Sequence, residues 1–385
     1  MSKIEPQAAT ILPGATIGMV GGGQLGRMFA IAATQMGYHV VVFTGSADDP
    51  AAQVTPRVVT GDLLDRQVVD KFAKQCDVIT LEFENIPAQT IQWCSQFTPT
   101  YPSPDILATA QDRLIEKQTL QDAGLAVTPF AAVDSAAAVT AFAEQHGWPV
   151  IVKTVRSGYD GKGQHRLQNP ANAEQVAWDQ DGDWIAEQCI AFDREVSVIV
   201  ARSSHGEIRC FPPLENRHRN HILDVSSCPA TLSPEQSEEA ISVATRVAER
   251  LDLVGVLCVE FFVVDGERLL INEIAPRPHN SGHLTIEACY TSQFQQHVRA
   301  VCGLPLGCTD LRVAAAAMVN LLGDVWPATG AAPPWDRALG IDNASLHLYG
   351  KTDAKPARKM GHLTATASDL AAAIKNAQQA AAHLH

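Results

Sequence analysis

Apolar residues change their period several times along this chain, and each change marks an element. Residues 16–20 read as a buried strand, followed by Gly21-Gly22-Gly23-Gln24-Leu25-Gly26 and an amphipathic helix to about Met36, which Gly37 ends. Strands over 39–43, 57–60 and 77–83, with a helix over 65–74, continue a βαβ rhythm. Tyr101-Pro102-Ser103-Pro104 reads as a boundary. A helix over 111–123 stops at Gly124. A small α+β unit then runs to about Gln188, with a strand over 150–153 and a glycine-rich turn. A larger antiparallel region carries a helix over 234–251 and a hairpin over 254–264 and 268–274. Past Gly303 the chain is rich in Ala, Pro and Gly. Strands near 313–321 and 345–349 and a helix from near Ser368 predict a small closing unit. No internal repeat is present.

The hairpin carries the most informative pair of side chains. Its halves are joined by Asp265-Gly266-Glu267, a strong turn signal. With Asp265-Gly266 as the loop, Glu260 and Glu273 are diagonal neighbours; with Gly266-Glu267 they lie directly opposite. Both registers place them on one face, because side chains alternate with period two. That face is otherwise Val256, Cys258, Phe262 and Val264 on one strand and Leu269 and Ile271 on the other. Two carboxylates on an apolar surface repel each other and lose hydration. A hard divalent cation relieves both, and Mg2+ accepts one or two carboxylates plus phosphate oxygens. The bland alternative is a solvated sheet edge.

Composition narrows the partners. The 385 residues hold 29 Lys+Arg against 42 Asp+Glu, a net charge of −13. That argues against nucleic acid or an anionic membrane surface, so any anionic ligand needs a local cationic cluster. Nine scattered cysteines without a C-x-x-C pair fit a reducing compartment, with neither disulfides nor zinc. No signal-peptide pattern or bilayer-length apolar run is found, so a cytoplasmic protein is expected.

Several motifs could supply such a cluster. Gly21–Gly26 matches G-x-G-x-x-G, but no acid ends the second strand and Asp48 lies beyond it, so dinucleotide binding is weakly supported. The alternatives are simple anion binding and close helix–strand packing. Lys153 ends an apolar strand. Gly158-Tyr159-Asp160-Gly161-Lys162-Gly163-Gln164 follows, which is no Walker loop but whose amides could close over phosphates. Glu187-Gln188-Cys189-Ile190 and Glu195 could read an adenine edge and ribose hydroxyls, or be ordinary loop residues. The run from Asn272 to His283 holds Arg277, His279 and Asn280 on a loop stiffened by Pro276 and Pro278. Lys351, Lys355, Arg358 and Lys359 form a basic cluster, either a solvated face or a phosphate site.

Together these segments resemble the ATP-grasp superfamily, and within it the 5-(carboxyamino)imidazole ribonucleotide synthases of purine biosynthesis. The likeness runs over nearly the whole chain, from Gly21–Met28 through Glu82-Phe83-Glu84-Asn85, Gln111-Asp112-Arg113, Tyr159–Gln164, Glu215-Asn216 with His218, and Asn272–His283, to Arg358–His362. It implies α/β and α+β architecture: a parallel βαβ domain over 1–110, a central lid over 111–190, and a C-terminal ATP-grasp domain over 191–385 with a closing subdomain from about 310. ATP would lie between two antiparallel sheets. The resemblance assigns Arg113, Lys153, Gly158, Tyr159, Asp160, Gly161, Lys162, Gly163 and Gln164 to ATP, chiefly its phosphates. It assigns Glu187, Gln188, Cys189 and Ile190 to adenine, Glu195 to ribose, and His218, Asn272 and Glu273 to the nucleotide pocket. Glu260 and Glu273 would hold Mg2+. Tyr159, Asp160, Arg277, His279 and Asn280 would contact aminoimidazole ribonucleotide, and Lys351 and Arg358 its phosphate. Asp160, His279, Lys162 and Arg277 are the catalytic candidates, with Asp160 orienting the amine and His279 accepting a proton.

The implied reaction is attack of bicarbonate on ATP, giving carboxyphosphate that carboxylates the amine of the ribonucleotide, in a homodimeric enzyme. Competing functions are a formate-dependent glycinamide ribonucleotide transformylase, a nicotinamide-dependent oxidoreductase built on Gly21–Gly26, and a non-catalytic nucleotide-binding regulator.

Overall fold

The computed structural model describes residues 9–157, 163–178, 183–327 and 331–384. These residues form three sheets. The first is parallel, from β1 (Thr16–Val20), β2 (His39–Thr44), β3 (Arg57–Thr60), β4 (Val78–Leu81) and β5 (Thr100–Tyr101), in the order β3-β2-β1-β4-β5. Its central strands are buried on both faces, which is why they read as unbroken apolar runs. The second is antiparallel, from β6 (Phe130–Val133), β7 (Val150–Thr154), β8 (Gln164–Leu167) and β9 (Trp184–Gln188), in the order β6-β9-β7-β8.

The third sheet has nine strands: β10 (Arg194–Arg202), β11 (Ile208–Cys210), β12 (Leu214–Arg219), β13 (Ile222–Cys228), β14 (Gly255–Val264), β15 (Arg268–Ala275), β16 (Ala315–Leu322), β17 (Ala344–Leu348) and β18 (Lys359–Ala367). Eight run in the order β15-β14-β10-β12-β13-β16-β18-β17, and β11 pairs with β10. The closing strands β16–β18 therefore extend the same sheet. Its core packs Val196, Val198, Leu257, Val259 and Phe261 against the helix Pro234–Arg250. Ser233 and Gln236 start that helix with a reciprocal capping box.

Several expected boundaries shift. The strand expected over 77–83 is only Val78–Leu81, and the helix expected over 111–123 is Arg113–Asp122, because Asp112 caps it by accepting the Ile115 N–H. The boundary expected at 101–104 instead starts the helix Pro104–Ala110, with Ser103 as cap and proline at its first turn. The helix Ala88–Cys94 and strand β18 carried no clear period and were not expected.

The glycine turn is filled by the protein itself. The Glu82 carboxylate, at the end of β4, accepts the N–H groups of Gly23 and of Gly26 (2.7 Å). The amides at this helix start thus bind an internal anion, which corrects the dinucleotide reading. Burial pushes the Glu82 carboxyl up, opposed by those amides. A Cβ on Gly21, which sits at φ +106°, would lie 2.5 Å from Glu82 Cγ.

A buried histidine ties the parallel sheet to the large one. His297, fully buried on the helix Gln293–Val301, accepts the Val256 N–H at Nδ1 (3.0 Å). Its proton is therefore on Nε2, which contacts Thr80 Oγ1 at 2.8 Å. Around it, Phe29 packs with Phe294, Val298 and Val301.

Two outcomes follow. Gly21→Ala is expected to destabilise the fold by about 1–3 kcal/mol through overpacking and backbone strain, read as a lower Tm in thermal melts. Burial lowers the His297 pKa from 6.5 to about 3, so the unfolded chain binds a proton that the folded one refuses. That stabilisation is complete above pH 6.5 and declines as pH falls toward 3. At pH 5 about 2 kcal/mol is lost. Melts at pH 7 and 5 should therefore show a shallower pH dependence for His297→Gln than for the parent; equal slopes would refute the assignment.

Candidate active site

One cleft of about 2520 Å³ collects residues from the two antiparallel sheets and from the loops at the strand ends of the parallel one. A single small ligand commonly occupies 300–1,000 Å³, so the cleft has room for more than one. Its chemical centre is the β14–β15 hairpin, where Glu260 lies directly opposite Glu273. Neither expected two-residue loop occurs. Val264 pairs with Arg268, leaving 265–267 in the turn, with φ of 53° at Asp265 and 70° at Gly266. That register alone would set Glu260 against Asn272. A bulge between Glu260 and Phe261 skips Asn272 and brings Glu273 into place.

The bulge also changes the faces. Leu269 and Ile271 do not accompany Glu273; they join Phe261 and Val263 in the core on the opposite side. The carboxylates share their face with Phe262 and its partner Leu270.

The two carboxylates sit in different surroundings. Burial pushes Glu273 up and the charge of Glu260 adds to it, partly offset by Lys153 and Arg113. Burial would also push Glu260 up, but His279 overrides it and holds the carboxyl down at about 2. His279 Nε2 lies 2.9 Å from Glu260 Oε1. Burial would lower His279, but Cys258 and Glu260 raise it to about 10. Its other ring nitrogen, Nδ1, lies 2.9 Å from Ser281 Oγ and accepts the Ser281 N–H at 3.4 Å. Gln293 clamps the backbone of His279 from both sides.

Two opposed carboxylates, one of them under electrostatic pressure, suit a hard divalent cation. No group of three or more His, Cys, Asp or Glu side chains suited to a metal occurs among the described residues. A cation here would therefore draw on phosphate oxygens and water for its other ligands.

The cations are distributed around this pair. Lys153 Nζ lies 3.1 Å from Glu187 Oε2 and its strand neighbour is Gln164. Burial would raise Glu187, but Lys117 and Lys153 hold it below the usual carboxylate range. Arg113 Nη1 donates to the carbonyls of Thr154 (2.8 Å) and Ser157 (2.6 Å), at the foot of the glycine flap. The flap residues Gly158, Tyr159, Asp160, Gly161 and Lys162 lie outside the described residues; Gly163 follows them with φ +70°.

Not every adenine-side candidate points into the cleft. The Gln188 side chain donates to the His146 carbonyl (3.1 Å), away from a ligand, although Gln188, Cys189 and Ile190 all line the wall. Glu195 pairs with His218. Burial would lower His218, but Glu195 raises it. Phe192, overlooked in the sequence, stacks on Phe262 with centroids 4.5 Å apart and planes 4° from parallel.

On the other side, Arg277 makes a two-pronged ion pair with Glu84, one prong at 2.8 Å. Lys351 Nζ donates to Gln24 Oε1 (2.5 Å) and the Lys359 carbonyl (2.7 Å). Burial and the charge of Arg358 lower Lys351 to about 8. Arg358 donates to the Asp353 carbonyl. Both amide atoms of Asn280 are buried without a hydrogen-bond partner among the described residues. Gln24, Glu82 and Glu84 thus contribute to the site. The family likeness over Gly21–Met28 and Glu82–Asn85 hinted at them. Glu116 and Lys117, buried beside β15, gave no signal at all.

Known proteins share this sequence pattern and fold. Three family descriptions match in order: the ribonucleotide synthetase preATP-grasp domain at 14–111, the ATP-grasp domain at 118–294, and the phosphoribosylaminoimidazole carboxylase C-terminal domain at 316–376. The N5-carboxyaminoimidazole ribonucleotide synthase of Bacillus subtilis is 43% identical over 92% of each chain. The crystal structure of the synthetase of that name from Thermus thermophilus superposes with a TM-score of 0.86 at 39% identity, over 96% of this chain and 97% of that one. The Aspergillus clavatus synthase, solved with ADP and 5-aminoimidazole ribonucleotide, gives 0.87 at 31% identity over 96% and 98%. Identity at this level across essentially the whole length, joined to the same three-part fold, makes the chain a member of the N5-carboxyaminoimidazole ribonucleotide synthase family.

Proposed function

We propose that this chain is an ATP-dependent ligase that carboxylates 5-aminoimidazole ribonucleotide to N5-carboxyaminoimidazole ribonucleotide in purine biosynthesis, with bicarbonate as the carbon source and carboxyphosphate as intermediate. The observation that carries the site assignment is the opposition of Glu260 and Glu273 with cations on both sides. Phosphoryl transfer needs alignment and charge neutralisation more than a covalent protein group. Glu260 and Glu273 would hold Mg2+, which supplies charge neutralisation at the terminal phosphates. Lys153 and Arg113 place positive charge on the same side, and the 158–164 flap would exclude water from carboxyphosphate.

A bicarbonate oxygen bonds to the γ-phosphorus as the bond to the ADP oxygen breaks. The exocyclic amine then attacks the carboxyl carbon, directly or after carbon dioxide is released; phosphate departs and the amine gives up a proton. Arg277, His279 and Asn280 would position the ribonucleotide. The two unpartnered amide atoms of Asn280 suit that role. Lys351 and Arg358 would take its phosphate. The domain division 1–110, 111–190 and 191–385, a homodimer and a cytoplasmic location belong to the same proposal. No helix among the described residues is long and apolar enough to cross a membrane.

Phosphate release is expected only with ATP, bicarbonate and aminoimidazole ribonucleotide together; release with formate and glycinamide ribonucleotide instead would overturn the assignment. Glu273→Gln is expected to lower kcat by about 10²-fold or more while the protein stays folded. Full activity in that variant would exclude the cation role.

A further inference from the structure

The bulge that aims Glu273 lies on β15, the end strand of the sheet, and a bulged end strand needs partners for its outward backbone groups. A neighbouring stretch supplies the first of them: the Ile271 N–H donates to the Ala126 carbonyl (2.8 Å), and the Thr128 N–H to the Ile271 carbonyl (3.2 Å). Beyond Ile271 this backbone pairing stops and two side chains take over. Lys117 Nζ donates to the Asn272 carbonyl (2.9 Å) and to Thr128 Oγ1 (2.7 Å). Glu116 Oε1 accepts the Ile274 N–H (3.3 Å). The bonds fall on the residues immediately before and after Glu273.

Both side chains are buried, Glu116 at 4% and Lys117 at 2% exposure. Buried charges are rarely retained without a partner, and Lys117 also faces Glu187 Oε2 at 3.8 Å. Glu187 is the carboxylate that holds Lys153. The same helix carries Arg113, bonded to the foot of the flap. One helix therefore touches the bulge, the Lys153–Glu187 pair and the flap base.

We propose that Glu116 and Lys117 are positioning residues that lock the Asn272 bulge and so set the affinity of the Glu260–Glu273 pair for a divalent cation. This inference rests on the reading of those two glutamates as cation ligands. Neither Glu116 nor Lys117 touches the cation; each acts through the backbone on either side of Glu273.

The test is calorimetric titration of Mg2+ into enzyme saturated with a non-hydrolysable ATP analogue, with melts to confirm folding. Lys117→Met is expected to weaken Mg2+ binding about 10–100-fold, the range for residues that orient a metal ligand, while KM for aminoimidazole ribonucleotide is unchanged. Glu116→Leu is expected to weaken it likewise, and Glu116→Gln, which keeps an acceptor for Ile274, to restore it. Glu116→Leu decides the matter if Lys117→Met does not fold. Parent-like Mg2+ affinity in both disruptive variants, with Glu273→Gln weakened, overturns this inference and leaves the cation site standing. Parent-like affinity in Glu273→Gln removes the cation site and this inference together.

Discussion

Two carboxylates facing one another across adjacent strands are the constraint around which this molecule is arranged. Opposed like charges destabilise a strand pair, and the partial burial of Glu260 makes its charge costlier still, whereas Glu273 is open on the cleft. The structure answers asymmetrically. Glu260 is paired with His279, whereas among the described residues the cations that act on Glu273 are Lys153 and Arg113, at longer range. The pair is thus compensated on one side more than the other, and under the proposed function a divalent cation would supply positive charge where Glu273 faces the cleft.

The N-terminal domain looks, from its strand order, like a dinucleotide-binding unit turned to another use. Its glycine turn grips Glu82. The residues around that turn then reach across the cleft: Glu84 holds Arg277 and Gln24 holds Lys351. Both cations belong to the far side of the site, so the N-terminal domain works as a scaffold for groups carried by the large sheet. The neutral His297 between Thr80 and Val256 fixes the two at a defined spacing. That spacing matters because preorganised charges lose their value when they can drift.

Much of this was legible in the sequence, for identifiable reasons. The strands β1, β2 and β14 and the helix Pro234–Arg250 carry strong periods and clean caps, and they fall where the pattern puts them. The shared face of Glu260 and Glu273 follows from alternation. The route to it did not follow: a bulge adds one residue without leaving a mark in composition, and it reversed the faces given to Leu269 and Ile271. Lys117 escaped because a lysine on an amphipathic helix reads as solvated, and only tertiary packing reveals that it is bonded to a strand. The ion-paired state of His279 escaped because it depends on Glu260 and Cys258, distant in sequence.

The continuity of the large sheet has a further consequence for how the protein can be divided. The strands after residue 310 look in sequence like a detachable module, yet β16 pairs with β13 over Ala316–Val319 and is buried throughout most of its length. Cutting the chain there would not free a folded piece. It would strip β13 of its neighbour and leave a raw apolar border that invites edge-to-edge aggregation. The basic cluster beyond β17 and the acidic hairpin near the opposite border are therefore mounted on one continuous plate.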